Sequence, residues 1–125
     1  MTIDRAWALD MDAGPIFVQI ANHVRRMLAR GEIVPGGRLL SARELAAGLG
    51  VNPNTVAHAF AELERTGVIE TKRGLGTYVR DDAPVADMRR DMLCAAAAAF
   101  AAEARALGVS APEALGALKE ALNAG

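Results

Sequence analysis

The sequence predicts a mostly α-helical chain in which three helices lead into one small β-hairpin and two further helices form a tail. Three observations carry that expectation. An apolar content of 52% with only 4% aromatic residues calls for a core of aliphatic side chains and alanine, which favours helices. Apolar residues recur at spacings of three and four along several stretches, and helix-capping signals open most of them. Only around Arg73-Gly-Leu-Gly does that period give way to two short runs of β-formers. At 125 residues the chain has room for one domain with an appendage and not for two full domains.

Residues 1–14 form a short lead with Trp7 and Leu9 as apolar anchors, closed by Gly14-Pro15. Pro15 suits the first position of a helix. Phe17, Ile20, Ala21, Val24, Met27 and Leu28 then mark one helical face until Gly31 stops the pattern. Val34-Pro-Gly-Gly is a turn, and Arg38-Leu39-Leu40 leaves space only for a short extended piece. Ser41 and Glu44 have capping-box spacing, with Leu40 and Leu45 as the accompanying hydrophobic staple, so a second helix starts there. It ends near Gly48–Gly50. Asn52 caps a third helix, with Pro53 at its first position and Val51 stapled to Val56. Val56, Phe60 and Leu63 are its inward face, and Gly67 is placed to end it through a left-handed cap. Two short helices around a tight glycine-containing turn make a helix-turn-helix.

Val68 to Lys72 and Thr77 to Arg80 flank a glycine-bearing tip, so they form a basic hairpin directly after the helix-turn-helix, the position of a wing. The chain therefore reads as a winged helix-turn-helix over residues 13–81. After the polar linker Asp81-Asp-Ala-Pro84, residues 84–125 form a two-helix tail. Its first helix carries two apolar strips, one of Val85, Met88, Met92, Ala95 and Ala99, the other of Leu93, Ala96, Phe100, Ala104 and Leu107. The last helix, capped by Ser110 with Glu113, shows Leu115, Leu118 and Leu122. Two helices of this length cannot enclose so much apolar surface, which makes a second copy of the chain the simplest cover and the tail a dimerisation element.

Net charge is −1, but it is unevenly placed: residues 15–80 carry nine Lys/Arg against five Asp/Glu, hence +4, and the remainder five against ten, hence −5. A basic excess in the segment holding the helix-turn-helix is what a phosphate-facing region needs. One cysteine, Cys94, excludes an internal disulfide and reads as a small core residue of an alanine-rich helix. His23, the other histidine besides His58, falls on the polar flank of the first helix. With two histidines and one cysteine, neither a nucleophile–base pair nor metal-ligand spacing is visible, so no catalytic residue, metal or cofactor is expected. The longest apolar stretch, Met92 to Ala102, is 11 residues, too short for a membrane helix. No signal-peptide pattern opens the chain, and a cytoplasmic address is expected.

From Leu39 to Val79 the chain resembles the GntR family of bacterial regulators. The matching residues are Ser41-x-Arg43-Glu44-Leu45-Ala46, Leu49-Gly-Val-Asn-Pro-Asn-Thr-Val56, Leu63, Gly67-Val-Ile-Glu-Thr and Arg73-Gly-Leu-Gly-Thr-Tyr-Val79. The Asn-Pro-Asn-Thr segment and the two-helix tail look most like the YtrA subfamily, whose members lack a large effector domain. Two positions depart from the pattern: Leu40 stands where the family usually has proline, and His58 where the subfamily often has arginine. The resemblance implies a homodimeric regulator, a repressor, that binds an inverted-repeat operator in double-stranded DNA.

A helix lying in the major groove reads bases with its first exposed turns, which selects Asn54, Thr55 and His58. An asparagine amide pairs bidentately with adenine, and threonine offers a hydroxyl or a methyl. The resemblance adds a DNA contact from Arg43, whose guanidinium suits phosphate or guanine, with Ser41 adding a hydroxyl. At the wing, Lys72 and Arg73 flank Gly74, which lets the backbone approach DNA closely. Asn52 reads as a cap rather than a contact. A small-molecule effector, if one exists, is expected between tail and DNA-binding domain. The alternatives weighed are a winged helix that binds protein and an architectural DNA binder without operator specificity; the polar rather than uniformly basic face of the third helix counts against the second.

Overall fold

Helix α1 (Ile16–Arg30) starts just after Pro15, and Gly31 ends it. The computed structural model, which describes residues 1, 3 and 7–125, places α2 at Ala42–Leu49, α3 at Pro53–Arg65, β1 at Ile69–Lys72, β2 at Gly76–Val79, α4 at Val85–Ala106 and α5 at Ala111–Ala124. The lead is tied to α1 through Gln19, whose Nε2 donates to the carbonyls of Asp10 (2.6 Å) and Gly14 (3.0 Å) while its Oε1 accepts from the Asp10 N–H at 2.9 Å. Trp7 is thereby part of the core, at 4% exposure.

Local chemistry sets the helix ends. The capping box at α2 is complete: the Glu44 N–H donates to Ser41 Oγ and the Ser41 N–H to Glu44 Oε1, both at 3.1 Å. Leu45 is fully buried, and Leu40 packs half-buried against the same core. Asn52 caps α3 by accepting the Asn54 N–H at 2.8 Å, with Pro53 in the first turn where no partner for its nitrogen is needed. At the far end, Val68 N–H donates to Leu63 carbonyl (2.9 Å) and Gly67 N–H to Glu64 carbonyl (3.1 Å). Gly67 at φ +77 supplies the left-handed residue that this double bond pattern requires.

β1 and β2 pair antiparallel in the register Ile69↔Val79 to Lys72↔Gly76. β2 is also bonded along its other edge. Leu39 N–H donates to Thr77 carbonyl and Val79 N–H to Gly37 carbonyl, both at 2.8 Å, around an isolated bridge between Arg38 and Tyr78. The short extended piece before α2 thus becomes a third rail of the hairpin. One core joins Ile20, Val24 and Leu28 of α1, Leu39, Leu45 of α2, Val56 and Leu63 of α3, Ile69 and Val79 of the hairpin, and Met88 near the start of α4. Arg25 adds a polar tie from α1 to the end of α3, its Nη2 donating to Thr66 Oγ1 at 3.3 Å.

The chain divides into two compact units, Met1–Met88 and Arg89–Gly125. In the second, α4 turns into α5 through Gly108, and Ser110 Oγ accepts the Glu113 N–H at 3.3 Å to cap α5. Beyond Met88 no described residue of α4 or α5 is buried. Leu93, Leu107 and Leu122 are 70%, 68% and 73% exposed, and a groove of about 410 Å³ between α4 and α5 is lined by alanines, Phe100, Leu115 and Leu118. Cys94 departs from the expected core position: it is exposed, because within one chain nothing packs over that part of α4. His23 is half-buried, its ring centroid 4.0 Å from that of Trp7.

Candidate nucleic-acid interface

The first turns of α2 and α3 and the tip of the β1–β2 hairpin carry the eight residues singled out from the sequence. Ser41 Oγ accepts the Glu44 N–H, and its hydroxyl also bonds the Glu44 carboxyl, so the side chain is engaged in the cap. The bonds from the Ser41 N–H and hydroxyl hold the Glu44 carboxyl below the usual carboxylate range, with Arg38 adding to the effect. Arg43, in the first turn of α2, is exposed and makes no ion pair among the described residues.

On α3 the two asparagines divide their work. Asn52 Oδ1 is consumed by the cap, whereas the Asn54 side-chain amide is exposed and makes no hydrogen bond among the described residues. An unengaged amide keeps both its donor and its acceptor for a bidentate partner. Thr55 is half-exposed. His58 lies one turn further, exposed, with its ring stacked on Phe17 of α1 at 3.7 Å between centroids and 11° between planes. Asn54 and His58 stand four apart and Thr55 and His58 three apart, so the three share one helical face.

At the wing the two basic residues differ. Lys72 Nζ sits 4.7 Å above the Tyr78 ring and 3.9 Å from Glu70 Oε1, so its charge is partly satisfied across the hairpin. Among the described residues Arg73 has no such partner, and it is exposed. Gly74 turns the tip with φ +78, where the Leu75 N–H donates to the Lys72 carbonyl at 2.8 Å. Tyr78 hydroxyl donates to the Leu75 carbonyl at 3.3 Å, and Thr71 hydroxyl to Glu64 Oε1 at 2.6 Å. The hairpin is thus held to α3 and stiffened at its tip.

Sequence reasoning missed Arg38. Its guanidinium lies over Gly76, where a Cβ would meet Nε at 3.0 Å, so the glycine makes room for a third arginine beside the wing tip. Its signal was hidden in an extended piece whose pairing with β2 no local pattern reveals. Phe17 reads from the sequence only as part of the inward face of α1, although its ring stacks on that of His58. Among the described residues no group of three His, Cys, Asp or Glu could hold a metal ion, and no helix is long and apolar enough to cross a membrane.

The sequence profile of the bacterial regulatory proteins of the gntR family matches residues 17–79, half of the chain and the whole stretch from α1 through β2. The chain belongs to the GntR family. Among its GntR relatives, the HTH-type regulator YhcF of Bacillus subtilis is 43% identical over 79 residues, covering 63% of this chain and 65% of its own length. The repressor YtrA of the same organism is 48% identical over 69 residues, 55% of this chain and 53% of its own. The chain therefore spans less than two thirds of these two relatives. Rv1152 of Mycobacterium tuberculosis matches more fully, 40% identical over 114 residues, 89% of this chain and 90% of its own.

Solved GntR structures extend the likeness into the tail. A GntR regulator from Listeria monocytogenes has a TM-score of 0.80 at 34% identity, covering 90% of this chain and 98% of its own. YtrA from Sulfolobus acidocaldarius, a GntR-family transcription factor, scores 0.55 at 31% identity over 93% and 96%. The DNA-binding domain of AraR, solved in complex with its operator ORX1, scores 0.52 at 25% identity over 57% of this chain and 86% of its own. All eight candidate residues fall inside the stretch matched by the GntR profile.

Proposed function

We propose that this chain is a transcription repressor that binds an inverted-repeat operator as a homodimer, with α3 in the major groove and the β1–β2 hairpin on the flanking backbone or minor groove. The observation that carries the reading is the polar opening of α3: Asn52 takes over capping, which leaves the Asn54 amide exposed and, among the described residues, unengaged beside Thr55 and His58. Arg43, Arg73 and Arg38 are the phosphate grips, and Ser41 holds the α2 cap beside them. Lys72 and Gly74 shape the wing tip that approaches the duplex. The operator complex of the AraR domain supports DNA as the partner, and the repressor YtrA supports the sign of regulation. Support for the dimer comes from the unburied apolar residues of α4 and α5.

Selecting bound fragments from random DNA with the purified protein should enrich a two-fold symmetric motif whose half-sites lie about one helical turn apart. On that motif, Arg73→Ala should weaken specific and random DNA alike and flatten the plot of log affinity against log salt by about one unit per phosphate lost per subunit. Asn54→Ala should leave the slope unchanged and cost about 1 to 3 kcal/mol per half-site on the selected motif alone. Equal losses on motif and random DNA for Asn54→Ala would remove it as a base reader. Salt-insensitive binding to protein and none to DNA would replace the reading with that of a protein-binding module.

A further inference from the structure

We infer that Phe17 is a positioning residue for base readout, a stacking platform in α1 that fixes the imidazole of His58 before DNA arrives; the inference rests on the reading of α3 as the DNA-reading helix. His58 stands out among the exposed residues of that helix because its ring is already held. The two rings lie 3.7 Å apart and within 11° of parallel. Phe17 is itself half-buried against the core, so the platform does not move with solvent. The helix carrying it is tied to the end of α3 through Arg25 and Thr66.

Stacking uses the face of an imidazole, whereas its hydrogen bonds lie in the ring plane. The platform therefore restrains both side-chain torsions and leaves both nitrogens open towards a base edge. Glu62, one turn along α3, has both of its oxygens bonded by Arg65. A residue ordered before binding avoids the entropy cost of being ordered by it. His58 then reads one base position in each half-site, with one nitrogen donating to a purine acceptor or the other accepting from an amino group.

The test repeats the selection from random DNA with variants of the full chain. His58→Ala should relax base preference at a single position per half-site, and Phe17→Leu should relax the same position and lower affinity for the selected motif about three- to tenfold. Placed on His58→Ala, Phe17→Leu should change motif affinity no further, while Phe17→Tyr, which keeps the ring, should bind as the native chain does. A purely structural Phe17 would relax no single position. Should Phe17→Leu not fold, Phe17→Met takes its place in the same cycle. The proton spectrum gives an independent reading: the His58 ring protons of the native chain should resonate upfield of an exposed histidine, and normal positions would overturn the stack. Equal loss on motif and random DNA, or an undiminished loss in the His58→Ala background, overturns the inference and leaves the DNA-binding reading intact. If the native chain enriches no motif at all, both fall together.

Discussion

At the scale of single residues, the candidate interface works by releasing some polar groups and occupying others. Asn52 and Ser41 satisfy helix-end donors, while the Asn54 and Arg43 side chains bond no described residue. Capping of this kind is worth about 1 kcal/mol per helix, so the same first turns that stabilise the fold are available for recognition. The α2 cap also has a pH signature. Glu44 is held below the ordinary carboxylate range by the Ser41 backbone and hydroxyl hydrogen bonds, so its ionised form favours the folded chain. That contribution is complete above the unfolded value and disappears as pH falls through the folded one. Glu44→Gln keeps a side chain that can accept the Ser41 N–H but does not ionise there. Below about pH 5 the melting temperature of the native chain should therefore fall more steeply than that of Glu44→Gln. Parallel melting curves across the acid range would show that the charge of Glu44 adds nothing to the cap.

At the scale of elements, the angle between α3 and the wing depends on how α3 ends. Gly67 adopts φ +77, and a Cβ there would meet no atom within 4 Å. Any cost of Gly67→Ala thus comes from the left-handed backbone alone, about 1 to 2 kcal/mol. Denaturant unfolding should show that loss with an unchanged dependence on denaturant concentration. A neutral result would mean that the turn re-forms without the left-handed residue, which the paired bonds from Val68 and Gly67 make hard to accommodate. The wing itself is braced on three sides, by β1, by residues 37–39, and by the hydrogen bond from Thr71 to Glu64. Such bracing keeps Arg73 at a fixed place relative to the candidate residues of α3, which a free hairpin would not.

At the scale of the whole molecule, the two units differ in how they are stabilised. Met1–Met88 encloses a core in which Ile20, Leu45, Val56 and Leu63 are inaccessible to solvent. Arg89–Gly125 leaves its leucines and Phe100 exposed, and exposed apolar surface of this extent marks an interaction surface. The native chain should sediment as a dimer at micromolar concentration. Phe100→Glu, which places a charge on the apolar surface lining the α4–α5 groove, should weaken association by at least about a hundredfold and lower operator affinity, while α1 to β2 stay folded by circular dichroism. A Phe100→Glu protein that remains dimeric would place the interface elsewhere. Truncation to locate the interface should fall after Met88, because that side chain belongs to the core of the first unit.

Local sequence alone determined the helices, their caps and the hairpin, because capping boxes, left-handed glycines and apolar spacing act between residues a few positions apart. Ser41 with Glu44, Asn52 with Pro53, and Gly67 all stand where such patterns put them. It also singled out the polar opening of α3, since an asparagine that caps and one that does not are told apart by position. Only the tertiary structure decided which side chains are spoken for. That Lys72 lies over Tyr78, that His58 stacks on Phe17, and that Arg38 settles against Gly76 depend on cross-strand register and on segments far apart in the chain being brought together. Cys94 shows the same limit from the other side: an alanine-rich helix looks like core in one dimension, but whether anything covers it is a property of packing. Local patterns fix backbone conformation because its energetics are short-ranged, whereas the partner of a side chain is chosen by the collapse of the whole chain around one core.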